Sequence, residues 1–180
     1  MPASWHVHHS VQRLAVIFPE TSRGELAKSY QDLEDATLRL KTVRPDLRIL
    51  DRQHSQAVFN EQRLQLSGVV SDEESVGIGR MLGADSILIY AVEGMTWREK
   101  LLAQLSRNPS SVIIRSQLIA IESGEILFSN VVTVPLQWTN SNIDDGFSKE
   151  HVDLALQAAF NSAMDRTIAD LKRALADKNY

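Results

Sequence analysis

The segment from about Lys149 to Ala176 constrains the fold most strongly, because its apolar residues recur at helical spacing along its whole length. Positions i, i+3 and i+4 lie on one side of an α-helix, so this pattern predicts one long helix with a single apolar stripe. We expect that stripe to cover a β-sheet. The stripe consists of Val152, Ala155, Leu156, Ala159, Phe160, Ala163, Met164, Ile168, Leu171 and Leu175.

The stretch LIAIESGEILFS, which begins at Leu118, predicts an antiparallel β-hairpin in front of that helix. Two apolar runs meet at Ser123-Gly124, and glycine reaches the positive φ that tight turns require. The predicted strands are residues 111–121 and 125–136. In the second strand, alternation places Ser129 and Thr133 on one face and an apolar set on the other. That set is Ile126, Phe128, Val132, Val134 and Leu136.

Three further strands are predicted over residues 11–18, 47–50 and 86–92. The segment 86–92 has few polar positions, so we expect it at the centre of the sheet. Helices are predicted between these strands, over about residues 22–41, 53–66 and 71–82. Ser71 and Glu74 form a capping box at the start of the third helix, and Gly83 is placed to cap its end.

The resulting order, β-α-β-α-α-β-β-β-α, predicts an α/β domain with a mixed five-stranded sheet packed by helices. Its 180 residues are enough to bury a substantial core. We expect residues 1–10 to be a flexible lead-in and residues 11–180 to form a single domain.

Composition excludes several classes of protein. The net charge of −4 argues against a nucleic-acid partner, which a basic face would normally mark. No stretch approaches the roughly 20 apolar residues of a membrane-spanning helix. There are no cysteines, which excludes disulfides and thiolate chemistry. The first ten residues carry no signal peptide, which read literally indicates a cytoplasmic protein, although a mature chain after export would look the same.

Candidate catalytic and ligand-binding motifs each have a simpler structural interpretation. Gly77, Gly79 and Gly83 resemble a dinucleotide fingerprint, but they follow the start of a predicted helix at Ser71 instead of a strand. The histidines in Trp5-His6-Val7-His8-His9 lack a carboxylate or thiolate to complete a metal site. His54 follows Asp51 by three residues, but the sequence has no G-x-S-x-G nucleophile elbow that would complete a catalytic triad with them. We therefore predict no catalytic residue, no cofactor and no metal site.

An ordered set of motifs resembles the curli-secretion lipoprotein family, the CsgG-like proteins of bacterial outer membranes. The motifs of this set span roughly residues 11–134 of the chain. They are the end of a strand, a helix, the acidic start of another helix, the beginning of a further strand and the hairpin. In that order they are Asp51-Arg52, Glu61-Gln62 with Ser67-Gly68, Asp72-Glu73-Glu74, Leu82-Gly83-Ala84-Asp85 and Ser123-Gly124-Glu125-Ile126-Leu127.

The resemblance implies a fold similar to the N-terminal domain of the TolB translocation protein and to activators of penicillin-binding proteins. It also implies a non-enzymatic periplasmic accessory domain of an outer-membrane-associated lipoprotein. Such a domain would act through contacts with envelope or secretion proteins, or with itself. The lipid-modified cysteine of the family is absent from this chain. Membrane contact is therefore expected only through an anchor that the native precursor would carry.

Pore-forming members of the family insert transmembrane hairpins at two places, which correspond here to residues 95–110 and 137–147. Both segments are too short or too charged for that purpose, so we expect no transmembrane hairpins. Instead, the helical spacing of Trp97, Leu101 and Leu105 predicts a short amphipathic helix in the first segment. We expect both segments to present side chains to a partner or to neighbouring subunits, with the alternative that the tryptophans cover the local core. The predicted partner-binding residues are Trp97, Arg98, Leu101, Leu105 and Trp138.

A second hypothesis comes from the fold class alone. Open α/β sheets commonly bind small ligands at the carboxyl ends of their strands. The chain could accordingly be a cytoplasmic small-ligand-binding domain.

Overall fold

The computed structural model describes residues 11–18, 26–50, 82–96, 111–137 and 149–176, together with Gly77, Arg80 and Arg98. Within these ranges the elements follow the predicted order. They are β1 (Arg13–Ile17), α1 (Ala27–Thr37) with a 3-10 helix (Leu38–Thr42), β2 (Arg48–Leu50), β3 (Ser86–Glu93), β4 (Ser111–Ala120), β5 (Ile126–Pro135) and α2 (Lys149–Ala176).

The predicted middle helices fall largely outside the described residues. Gly77 and Arg80 are helical, and both belong to the third predicted helix. Gly83 has a φ of 65° and donates its N–H to the carbonyl oxygen of Arg80 at 2.9 Å, as expected of a helix C-cap. The capping box at Ser71 and the whole second helix lie outside the described residues.

The five strands form one mixed sheet in the order β2-β1-β3-β4-β5. β1 pairs in parallel with β2 and β3, whereas β3–β4 and β4–β5 are antiparallel. The mixed sheet and the central position of β3 are both confirmed. β5 is the edge strand beside β4, so one side of a strand of 10 residues has no described neighbour.

The larger core lies between the sheet and the helices α1 and α2. The predicted stripe of α2 is confirmed, because nine of its ten members are buried and Ala155 is partly buried against the same cluster. Alternate residues of the hairpin face this helix. They are Val112, Ile114 and Leu118 on β4, and Phe128, Val132 and Val134 on β5.

A smaller apolar cluster lies on the opposite side of the sheet. It contains Ala15, Ile17, Ile87, Ile119 and Ile121. These residues come from β1, the first half of β3 and the end of β4, so this second core stops short of most of the hairpin.

The hairpin turn is built as the sequence predicts. Gly124 has a φ of 69° and donates its N–H to the carbonyl oxygen of Ala120 at 2.9 Å. The Ser123 hydroxyl oxygen accepts the N–H of Glu125 at 3.2 Å. Both bonds are local, which explains why the turn can be read from the sequence alone.

One part of the predicted strand pattern is wrong. Ile126 was expected on the face of Phe128, but its side chain is 43% exposed. The reason is a β-bulge, because Leu118 pairs with Phe128 and the next residue, Ile119, pairs with Ile126. Leu127 is therefore an extra residue in β5, and the alternation of faces is inverted on its amino-terminal side.

Candidate interaction surface

The hairpin has one face that neither core covers fully. We call it the outer hairpin face and define it as the side of β4 and β5 opposite α1 and α2. Because side chains alternate along a strand, the residues between the core positions must point to this side. They are Ile113, Arg115 and Gln117 on β4, and Ile126, Ser129, Val131 and Thr133 on β5.

Large apolar side chains are exposed on this face. Val131 is 49% exposed and Ile126 is 43% exposed, and the other large apolar residues exposed in the described part are Leu38 and Leu154 on the helices. Single exposed apolar residues are ordinary. These two lie on the same face of one edge strand, about 14 Å apart along it, because they pair with Arg115 and Ile119, four residues apart on β4. Arg115 donates to Glu93 at 3.0 Å on the same face, and both side chains are about half exposed, so this pair stabilises the fold little.

The carboxyl end of β1, which lies beside the middle of β3, is filled by aromatic side chains. Phe18, Tyr30 and Tyr90 are all buried there. The ring centroids of Phe18 and Tyr30 lie 5.0 Å apart at 64°, and those of Phe18 and Tyr90 lie 6.0 Å apart at 19°. In the described part of the chain, the place where an open α/β sheet usually binds a ligand is therefore occupied by the protein's own core.

Hydrogen bonds hold the two tyrosines in this cluster. The Tyr30 hydroxyl oxygen accepts the N–H of Val92 at 3.1 Å. Thr37 donates its hydroxyl to the carbonyl oxygen of Leu33 at 2.7 Å, so Tyr90 must be the donor in its 2.9 Å bond with Thr37. Burial raises the pKa of Tyr90 well above its ordinary value.

The opposite end of the sheet explains the Leu82-Gly83-Ala84-Asp85 motif. Asp85 accepts the backbone N–H groups of Gln12 and Arg13 through Oδ2, at 2.9 and 2.8 Å. Its Oδ1 accepts the hydroxyl of Ser86 at 2.9 Å. The carboxylate thus fixes the start of β1 beside the start of β3, and the motif has a structural role.

Of the predicted partner-binding residues, the structure describes only Arg98. Arg98 is helical and exposed. Trp97, Leu101, Leu105 and Trp138 lie outside the described residues, as do His54 and the N-terminal histidines. The set therefore stays a prediction.

The outer hairpin face was not predicted as a surface. Ser129 and Thr133 were expected to turn away from the core, and they are exposed. Val131 has the same parity and could have been added from that alternation. Ile126 could not, because its exposure depends on the bulge at Leu127.

The described residues lack two features that mark other classes of protein. No group of three or more His, Cys, Asp or Glu side chains is arranged there to hold a metal ion. No helix in the described ranges combines the length and the apolar character that crossing a membrane requires.

Comparison with solved structures finds several similar folds. The C-terminal domain of LpoB from Salmonella enterica is 16% identical, with a TM-score of 0.45 over 69% of this chain and 83% of that one. The lipoprotein GNA1162 from Neisseria meningitidis is 14% identical, with a TM-score of 0.45 over 88% and 96%. PelC from Paraburkholderia phytofirmans, solved as a dodecamer, is 17% identical, with a TM-score of 0.44 over 90% and 93%.

Comparison of the sequence itself gives no match, because neither a family model nor a curated protein matches this chain. At the identities and TM-scores above, the likeness to solved structures carries no conclusion about activity. Membership of the curli-secretion family is not shown by these comparisons and stays a prediction from the sequence motifs.

Proposed function

We propose that this chain is a non-enzymatic accessory domain of the bacterial envelope that acts by binding other proteins through the outer hairpin face. The observation that carries the proposal is the pair of exposed apolar side chains, Val131 and Ile126, on the hairpin face opposite the one that packs against α2. The motif resemblance supplies the compartment, which is the periplasmic side of an outer membrane. Self-association through the same face is part of the proposal.

The alternative, a small-ligand-binding domain, is less well supported. Its expected site lies at the carboxyl ends of the parallel strands, and at the end of β1 the rings of Phe18, Tyr30 and Tyr90 pack against one another. A ligand there would have to displace a buried aromatic cluster. Removing one buried ring typically lowers the free energy of unfolding by about 3–5 kcal/mol. A surface function requires no such rearrangement.

The compartment is tested by mass spectrometry of the native protein from its own cells. The proposal predicts a precursor that is cleaved and lipid-modified at a cysteine upstream of this chain, without transmembrane hairpins of its own. An unprocessed product in the cytoplasm would exclude the envelope role.

The ligand alternative is tested by a thermal-shift screen with nucleotides and sugars. A ligand that binds only the folded state raises the unfolding midpoint, and the rise grows with ligand concentration. We expect no concentration-dependent rise. A saturable rise that Tyr90→Phe weakens would favour the ligand-binding function instead.

A further inference from the structure

We infer that Asn130 is an edge guard, a side chain that blocks strand addition at the edge of β5 that has no described neighbour. An edge strand presents unpaired backbone groups that can pair with another chain, and proteins usually protect such edges. The inference rests on hydrogen bonds within β5 and α2, and it does not depend on the proposed function.

The first step is to establish which backbone groups of β5 point outward. Ala120 donates its N–H to Glu125 on the hairpin side at 2.9 Å, and Ile121 donates to Asp85 on the β3 side at 2.9 Å. Because successive residues of a strand turn their backbone groups to opposite sides, the even-numbered residues of β4 bond to β5.

Their partners in β5 follow from the register of the two strands. Ser116 pairs with Asn130, and Ile114 pairs with Val132. These β5 residues turn inward, so the backbone groups of Ser129, Val131 and Thr133 turn to the open edge. Pro135 has the same parity, and proline has no N–H to offer.

Asn130 removes the central outward donor. The N–H of Val131 donates to Oδ1 of Asn130 at 2.9 Å. The donors that remain on this stretch, those of Ser129 and Thr133, are four residues and therefore about 14 Å apart. A pairing strand needs outward groups at every second residue, about 7 Å apart, and the middle one is already used.

The guard is itself held in place by α2. Nδ2 of Asn130 donates to Oδ2 of Asp170 at 2.6 Å. Oδ1 of Asp170 in turn accepts from Arg173, one turn further along the helix. The carboxamide is thus fixed at both ends, with its oxygen turned to the strand edge, while the outer hairpin face beside it stays open.

Amide hydrogen exchange tests the guarding bond in the wild-type protein. We expect the N–H of Val131 to exchange about tenfold more slowly than those of Ser129 and Thr133, although all three point away from β4. Equal exchange at the three positions would overturn the inference, and this measurement does not depend on any variant folding.

Disulfide trapping tests whether loss of the guard allows two β5 strands to pair. Because the chain contains no cysteine, an introduced cysteine is the only one that can form a disulfide. In an antiparallel pair of β5 strands centred on position 131, each residue 131 faces its copy with Cα atoms about 5.5 Å apart, which a disulfide can bridge. We expect Val131→Cys with Asn130→Ala to form oxidised dimers at least about tenfold faster than Val131→Cys alone.

Two further variants keep this test falsifiable. The control combines Val131→Cys with Asn161→Ala. It removes an exposed amide on α2 whose hydrogen bond, to Gln157, lies within the helix. Its rate of dimer formation should match that of Val131→Cys alone. Val131→Cys with Asp170→Ala releases the anchor and should give an intermediate rate. The inference would be refuted by two results together. The double variants with Asn130→Ala and with Asn161→Ala would form disulfide-linked dimers at equal rates, and Asn130→Ala alone would show no dimer in sedimentation.

Discussion

Gly94 is the glycine at which an added methyl group should lower the stability of the fold most. Its φ is 92°, and a Cβ placed there would lie 2.2 Å from the backbone oxygen of Ser111. The left-handed conformation costs an L-residue about 1–2 kcal/mol, and relief of a backbone clash adds about 1–3 kcal/mol. We expect Gly94→Ala to lower the free energy of unfolding by about 2–5 kcal/mol in urea melts.

Gly124 provides the matched control for that measurement. Its φ is 69°, but nothing lies within 4 Å of the position of an added Cβ. Gly124→Ala should therefore cost only the conformational part, about 1–2 kcal/mol. Equal losses in the two variants would show that the approach of Gly94 to Ser111 is not as close as described.

Tyr90 should make the stability of the protein sensitive to alkali. Its pKa is raised by burial, so the folded state keeps the phenol proton while the unfolded chain loses it. The stability that this group contributes is complete below the unfolded pKa of about 10, and falls by up to about 1.4 kcal/mol for each pH unit above it.

The variant Tyr90→Phe isolates this effect. At pH 8 it should be about 1 kcal/mol less stable than wild type, because the bond to Thr37 is lost. Near pH 11 the difference should shrink or reverse, since phenylalanine does not ionise. Urea unfolding at both pH values measures it, and a constant difference would contradict the assignment of a buried, neutral phenol.

At the scale of elements, α2 provides most of the apolar surface that covers β4 and β5. Phe160 is fully buried at the middle of its stripe. Phe160→Ala should cost about 3–5 kcal/mol, because the removed ring leaves a cavity under the helix. Leu154→Ala, on the same helix at 63% exposure, should cost less than about 0.5 kcal/mol. Similar losses in denaturant melts would mean that the helix faces are assigned incorrectly.

The same element shows what sequence periodicity can predict. The stripe of α2 is a local pattern repeated over many turns, and the Ser123-Gly124 turn is fixed by bonds within a few residues. The bulge at Leu127 is different, because an extra residue in one strand becomes visible only against its partner. Nothing in a run such as Ile126-Leu127-Phe128 marks which residue is unpaired.

Long-range contacts explain what the sequence could not reveal about the surface. Asn130 acquires its role from Asp170, which lies 40 residues further along the chain. The aromatic cluster depends on Phe18, Tyr30 and Tyr90, which come from three separate elements. The sequence therefore predicted the sheet, its order of elements and its long helix, whereas the exposed hairpin face and its guarded edge required the pairing of strands.

At the scale of the whole molecule, we expect residues 11–180 to unfold as one cooperative unit. The larger core joins β1, α1, the hairpin and α2 in one cluster, so no described element has a core of its own. Far-ultraviolet and near-ultraviolet circular dichroism should give coincident unfolding curves. Two separated transitions would show that the chain contains more than one domain.

The outer hairpin face and the guarded edge together specify how a partner would bind. A protein that covers Val131 and Ile126 would lie across the face of the hairpin, because the edge itself offers no consecutive donors. Such a contact would be dominated by apolar burial, at about 25 cal/mol per Å² before the costs of association.

Site-directed photo-crosslinking in cells that make the native protein tests this central claim most directly. A photoreactive residue at position 131 reports on the outer hairpin face, and one at position 154 reports on a more exposed apolar site on α2. The proposal predicts a defined crosslink, to an envelope protein or to a second copy of this chain, from position 131 and none from position 154. Crosslinks from position 154 alone, or from neither position, would contradict a binding function for the outer hairpin face.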